Sequence, residues 1–268
     1  MTPALSLVIA VYRQPEFLEW IFASLAHQTF GEFEVVIADD GSGPEIGEVI
    51  RAASLRQPIR HAWHEDDGFR KTIIVNQAVT MTRAPYLVFI DGDCILHHRF
   101  LERHFARRSQ GQALSGRRVM LDQAITARLT TEDVHSKRIE KPGFWWNHVK
   151  PHDRRNGFYL PALYGLRGLS TDRYTLLGCN FSLFREDFLR VNGYDERIVG
   201  RGMEDTNLRT RLLNAGVRFR SISQEAIEYH CHHGNAGFPH DQAAIERWRD
   251  TTETWTPFGV VKGEAPPA

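Results

Sequence analysis

Between Leu5 and about Val119 the chain switches repeatedly between a strand pattern and a helix pattern, and this alternation restricts the fold more than any other feature. Leu5–Tyr12 (LSLVIAVY) is a short apolar run, the pattern of a strand buried on both faces. Pro15 then opens a helix, where its fixed φ suits the first turn, and Leu18, Ile21, Phe22 and Leu25 mark one helical face. Phe33–Ala38 reads as strand, Glu45–Leu55 as helix, Ile59–His64 as strand and Lys71–Thr82 as helix. Tyr86–Ile90 (YLVFI) is a further strand, followed by a helix at His97–Arg108 and a strand at Ala113–Met120. This order implies an α/β fold with a Rossmann-like, mostly parallel central sheet and helices on both faces.

The second half is less regular. Asp122–Glu140 reads as one helix, and 137–174 as a loop-rich insertion with eight Lys/Arg against three Asp/Glu. Phe144, Trp145, Trp146, Phe158, Tyr159 and Tyr164 are interleaved with those charges. Thr175–Phe184 returns to a strand pattern and Arg185–Val191 to a short helix. Met203–Asn214 is a helix closed by Gly216, and Val217–Ile222 and Ala226–His230 are short strands. The expected organisation is one domain over 1–258, with halves at 1–120 and 121–258, and a frayed tail at 259–268.

Lys+Arg and Asp+Glu both number 33, so charge gives no case for a nucleic-acid partner. Three widely spaced cysteines form no disulfide framework and suit a reducing compartment. The N-terminal segment lacks a basic region before its apolar run, and no stretch approaches the roughly 18 apolar residues of a membrane span. The expected location is cytoplasmic, with peripheral contact at a membrane left open.

Four short motifs carry the candidate chemistry. Asp91-Gly92-Asp93 ends a strongly hydrophobic strand, and two carboxylates spaced by one glycine can converge on a hard cation that bridges phosphates. An acidic turn has the same composition, so this motif alone does not separate the two readings. Asp39-Asp40-Gly41-Ser42 follows the second strand; a carboxylate there accepts hydrogen bonds from a base or ribose, although a capping turn is the plainer explanation. Glu204-Asp205 opens a helix, where acidic residues ordinarily answer the dipole but where a carboxylate can also act as general base. His230-Cys231-His232-His233 has no second cluster to complete a zinc knuckle, and an imidazole joining an Asp-based site is more economical. Paired Trp145-Trp146 is costly to leave exposed, which favours a binding role over a solvated loop.

In order, the segments VIAVYRQPEFL, SLAHQTFGEFEVVIADDGS, DDGFRKTIIVNQAV and YLVFIDGDC resemble family 2 glycosyltransferases of the GT-A fold. GCNFSLFREDFLRVNGYDE and GRGMEDTNLRTRL are similar to the C-terminal half of β-1,4-galactosyltransferases and chondroitin-polymerase-type enzymes. The resemblance implies that Ala10, Tyr12 and Asp40 hold the nucleotide base, and that Arg70 sits near the base or diphosphate. It implies that Asp91 and Gly92 lie at the donor, with Asp91 reaching ribose or metal, and that Asp93 is the principal metal ligand. His230 completes that metal site, with His233 as the alternative. Asp205 becomes the catalytic base and Glu204 a sugar-binding partner. Arg201 stands where relatives often carry an acceptor-stacking Trp, which implies a phosphate- or carboxylate-bearing acceptor. Trp145 and Trp146 fall on the acceptor side.

The implied activity is an inverting, metal-dependent transfer from a nucleotide-diphosphate sugar, by default a UDP-sugar, to a hydroxyl of a glycan or glycolipid. Mn²⁺ is favoured over Mg²⁺ because imidazole suits transition metals. Three rivals stay open: a nucleotide-sugar hydrolase using the histidines, a non-catalytic sugar-binding protein, and an NAD-type oxidoreductase. The oxidoreductase needs the glycines of Gly41–Gly47, which are one residue off the dinucleotide pattern and follow the second strand.

Overall fold

The computed structural model describes residues 2–163, 176–200, 202–234, 246 and 248–263. The first half alternates as its apolar pattern requires: β1 (Leu5–Val11), α1 (Pro15–Leu25), β2 (Phe33–Asp39), α2 (Pro44–Ala52), β3 (Ile59–Trp63), α3 (Lys71–Met81) and β4 (Tyr86–Asp91). Then come β5 (Cys94–Leu96), α4 (Phe100–Arg107), β6 (Gln112–Ser115), β7 (Arg117–Met120), α5 (Gln123–Thr126), α6 (Thr131–His135) and α7 (Pro142–Trp145). The remainder holds β8 (Phe181–Phe184), α8 (Arg185–Arg190), α9 (Glu204–Asn214), β9 (Arg218–Ser221) and β10 (Ile227–His230).

Seven strands form the main sheet in the order β3-β2-β1-β4-β8-β6-β9, and β8 alone runs against its neighbours. Side-chain alternation sends Leu5, Leu7, Ile9 and Val11 of β1 into the layer shared with α1, α2 and α4. Val8, Val36 and Ala38 face the opposite layer, against Ile74, Val75 and Ala78 of α3 and Leu208 and Leu212 of α9. Burial on both faces explains why these strands lack polar alternation.

A second sheet, β5-β10-β7, carries a third core. Ile95, Val119, Ile227 and Tyr229 pack there with Trp20 of α1 and with Ile125, Val134, Ile139 and Trp145. Two expected elements divide where local chemistry favours division. The expected strand Ala113–Met120 becomes β6 and β7, which lie in different sheets. Between them Gly116 presses on Asn180, whose side chain would be 2.2 Å from an added Cβ. The expected helix over Asp122–Glu140 breaks because Thr130 forms a capping box with Asp133 and starts a new helix, α6. The expected strand from Thr175 is confined to β8, its described portion before Phe181 being a turn that Asn180 closes by donating its N–H to the Leu177 carbonyl.

Candidate active site

The register sets Ala10 level with Ala38 and Asp91, and Val11 level with Asp39, so both acidic loops leave the same carboxyl edge of the sheet. Backbone contacts hold the second loop tightly. Gly92 donates its N–H to the Ala10 carbonyl at 2.7 Å, and a Cβ at Gly92 would stand 2.9 Å from that oxygen. Only glycine allows this approach.

At the end of β2 the carboxylates are already partnered. Asp39 accepts from the Ser42 N–H at 2.9 Å and meets His61 at 2.9 Å. Asp40 accepts the Arg70 N–H at 2.9 Å and meets His64 Nε2 at 2.7 Å, while burial raises its pKa against these bonds. Tyr12 is exposed and donates its hydroxyl to Asp66, which also pairs with Arg13. The Arg70 guanidinium turns to the Glu65 carbonyl and to Asp67.

Lys71, the first residue of α3, reaches Asp91 at 2.5 Å. Burial opposes its charge, but Asp91, Asp205 and Glu204 outweigh burial and keep the ammonium protonated. Asp205 lies in the first turn of α9, with one oxygen accepting the Gly178 N–H at 2.9 Å and the other the Tyr194 hydroxyl at 3.0 Å. Burial raises its pKa to about 7, with Lys71 countering and Glu204 and Asp91 adding to the rise. Buried Glu204 accepts the Gly202 N–H at 2.7 Å.

Asp93 meets His233 Nε2 at 3.0 Å and His230 Nε2 at 3.4 Å. Burial would raise its pKa, yet the two imidazoles pull it down to about 2. One donor atom from each of the three residues falls within 4.8 Å of the others. A carboxylate and two imidazoles, one of them (His230) nearly enclosed with its Nδ1 unpartnered, form a donor set that fits a divalent transition metal. Asp93 from the β4–β5 turn and His230 and His233 from the end of β10 thus come together, both imidazoles rather than one of the two alternatives.

The paired tryptophans separate. Trp145 is fully buried, with its ring over Gly157, where a Cβ would clash at 2.3 Å. The expectation of Trp145 at an acceptor is therefore corrected: core packing encloses it. Trp146 is exposed and lies under the Arg154 guanidinium at 4.6 Å. Arg201 lies outside the described residues. Sequence reasoning missed Lys71, Gly178 and Tyr194. Lys71 left one signal, a cation in the first turn of a helix, where the macrodipole disfavours it.

Glycosyl transferase family 2 matches residues 6–163, and the N-terminal domain of galactosyltransferase matches residues 168–234. Validoxylamine A glucosyltransferase of Streptomyces hygroscopicus subsp. jinggangensis is 28% identical over 84% of this chain and 54% of its own. Chondroitin synthase of Escherichia coli is 24% identical over 84% of this chain and 34% of its own. The chain thus spans about half or less of these relatives. The fold is shared with mannosyltransferase PcManGT from Pyrobaculum calidifontis, solved with GDP-Man and Mn²⁺, at TM-score 0.57 and 14% identity over 88% of this chain and 59% of that one. S. aureus TarS is similar at TM-score 0.57 and 16% identity, over 85% and 36% of the two chains. The architecture is the GT-A fold, and the chain belongs to glycosyl transferase family 2.

Proposed function

We propose that this chain transfers a sugar from a nucleotide-diphosphate sugar to an acceptor hydroxyl with inversion, and that Asp205 is the base. One observation carries the reading. A carboxylate held by the Gly178 N–H and the Tyr194 hydroxyl, with its pKa raised to about 7, stands beside the Lys71–Asp91 pair at the mouth of a nucleotide-binding type of sheet. A base poised near the working pH is the one best matched to a hydroxyl proton.

The acceptor hydroxyl gives its proton to Asp205 as its oxygen attacks the anomeric carbon. The nucleoside diphosphate departs from the opposite face, so an α-linked donor yields a β-linkage. Fixed by two hydrogen bonds, Asp205 needs little reorganisation as it takes up the proton. Lys71 neutralises Asp91 and favours the ionised, proton-accepting form of Asp205. Asp40, Tyr12 and Arg70 form the nucleotide side, and Trp146 and Arg201 the acceptor side. A divalent cation, Mn²⁺ before Mg²⁺, would be held by Asp93, His230 and His233. Bound there, it supplies Lewis-acid stabilisation of a phosphate leaving group.

The donor is taken to be a UDP-sugar and the acceptor a glycan or glycolipid, with no nucleic acid involved. No described helix is long and apolar enough to cross a membrane. The proposed location is cytoplasmic, with peripheral membrane contact. A nucleotide-sugar panel with and without acceptor tests it. Transfer requires product only when both are present, with Asp205→Asn retaining donor binding and losing transfer. Release of free sugar at the same rate without acceptor would make this a hydrolase.

A further inference from the structure

Beneath the Asp93 centre lies a second group of ligand-type side chains that the transfer chemistry does not use. Cys94 opens β5, Cys179 sits in the turn before β8, and Glu228 is on β10. Their Sγ, Sγ and carboxylate oxygen lie within 4.8 Å of one another, and all three residues are fully buried.

Glu228 is the anomaly. Among the described residues neither of its oxygens has an N–H or O–H donor, although its register partner on β7 is Arg118. The Arg118 guanidinium instead reaches the Cys179 sulfur at 3.5 Å. Among the described residues the Cys179 thiol is the hydrogen-bonding group that acts on Glu228. A buried carboxylate is rarely left in that state without an unseen partner.

We propose that Cys94, Cys179 and Glu228 bind a zinc ion, distinct from the cation of the Asp93 centre. Two thiolates and a carboxylate are a soft-to-borderline set that selects zinc over Mg²⁺ or Mn²⁺. Binding releases to solvent the two thiol protons, together with the proton that burial favours on Glu228. Charge then balances: two thiolates and one carboxylate against Zn²⁺ leave one negative charge, which Arg118 offsets. The ion would tie the turn before β8 to the β5–β10 strand pair. Cys94 follows Asp93, Cys179 follows the Gly178 that holds Asp205, and Glu228 lies two residues before His230 on one strand. Zinc therefore fixes the spacing between the metal centre and the base, without touching substrate.

The test uses the whole chain purified without chelator. Zinc near one equivalent per chain by mass spectrometry of metals is expected, released in step with mercurial titration of the thiols. Cobalt added after zinc removal should give a thiolate-to-cobalt charge-transfer band. Cys94→Ala and Cys179→Ala should abolish the band, and Cys231→Ala should keep it. Glu228→Gln should weaken zinc by at least the roughly 10–100-fold that even an outer-shell change costs. The His230→Ala/His233→Ala double variant should retain both zinc and band, which separates this site from the Asp93 centre. Where a cysteine variant fails to fold, the wild-type cobalt spectrum decides. No bound zinc and no thiolate band in wild type would overturn the proposal, as would a Cys94–Cys179 disulfide in non-reducing mass spectra.

Discussion

The β1–β4 wall of the site and its α9 wall hold their carboxylates differently. On the β1–β4 wall, Asp39 and Asp40 each have a histidine and a backbone N–H, and Asp91 has Lys71. On the α9 side, Asp205 has two neutral hydrogen-bond donors and a raised pKa, with Lys71 countering the like charges of Glu204 and Asp91. A carboxylate with satisfied partners shapes a pocket. One held near its proton-exchange point has capacity left for chemistry. The difference teaches that motif richness is a poor guide: the wall with more acidic motifs is the more passive one.

Asp205→Asn should produce the largest break, a fall in kcat of about 10²–10⁴-fold, read under saturating donor and acceptor. The amide oxygen can still accept from Gly178 while its NH₂ donates to the Tyr194 oxygen, so the thermal midpoint should hold. Trp145→Ala should instead cost ~3–5 kcal/mol of stability, measured by denaturant unfolding, because it empties a sealed core site. Asp39→Ala, on the saturated wall, should cost ~1–3 kcal/mol by leaving buried partners unpaired, and activity per folded molecule should fall far less than in Asp205→Asn. Equal kinetic losses in Asp39→Ala and Asp205→Asn would erase the distinction between the walls.

The contrast was only partly legible in the sequence. Continuous apolar runs such as Leu5–Val11 and Tyr86–Ile90 announced strands covered on both faces, and their acidic ends followed from the carboxyl-edge rule. Local pattern did not reveal that the chain changes sheets at Gly116, since the cause is contact with Asn180, 64 positions away. Nor did it distinguish Trp145 from Trp146, because exposure of adjacent aromatics is decided by which one meets Gly157. Cys94, Cys179 and Glu228 looked unrelated because only the packing of three separate elements assembles them.

A pH profile sharpens the comparison further. Asp205 must be ionised to take the proton, so kcat/KM should fall as pH drops below about 7, approaching tenfold per pH unit. Lys71 favours the ionised form, and its removal therefore raises the pKa. Lys71→Met should move the acidic limb to higher pH and cost about tenfold in rate at pH 7 for each unit moved. A limb that stays in place would separate Lys71 from the base and leave it only a partner of Asp91.

The smallest effect is expected at Trp146, on the proposed acceptor side. Trp146 has 41% of its surface exposed and stacks against Arg154, so Trp146→Ala removes little buried area and should change stability by ~0.5 kcal/mol or less. A ring displayed there, flanked by a guanidinium, suits the apolar face of a sugar. Its loss should raise the acceptor KM several-fold, about 1 kcal/mol of binding, with donor KM and saturated kcat unchanged. If the acceptor KM does not move, the aromatic insertion serves the fold, through Trp145 and the Phe144, Phe158 and Tyr159 packed beside it, and acceptor recognition passes to other residues.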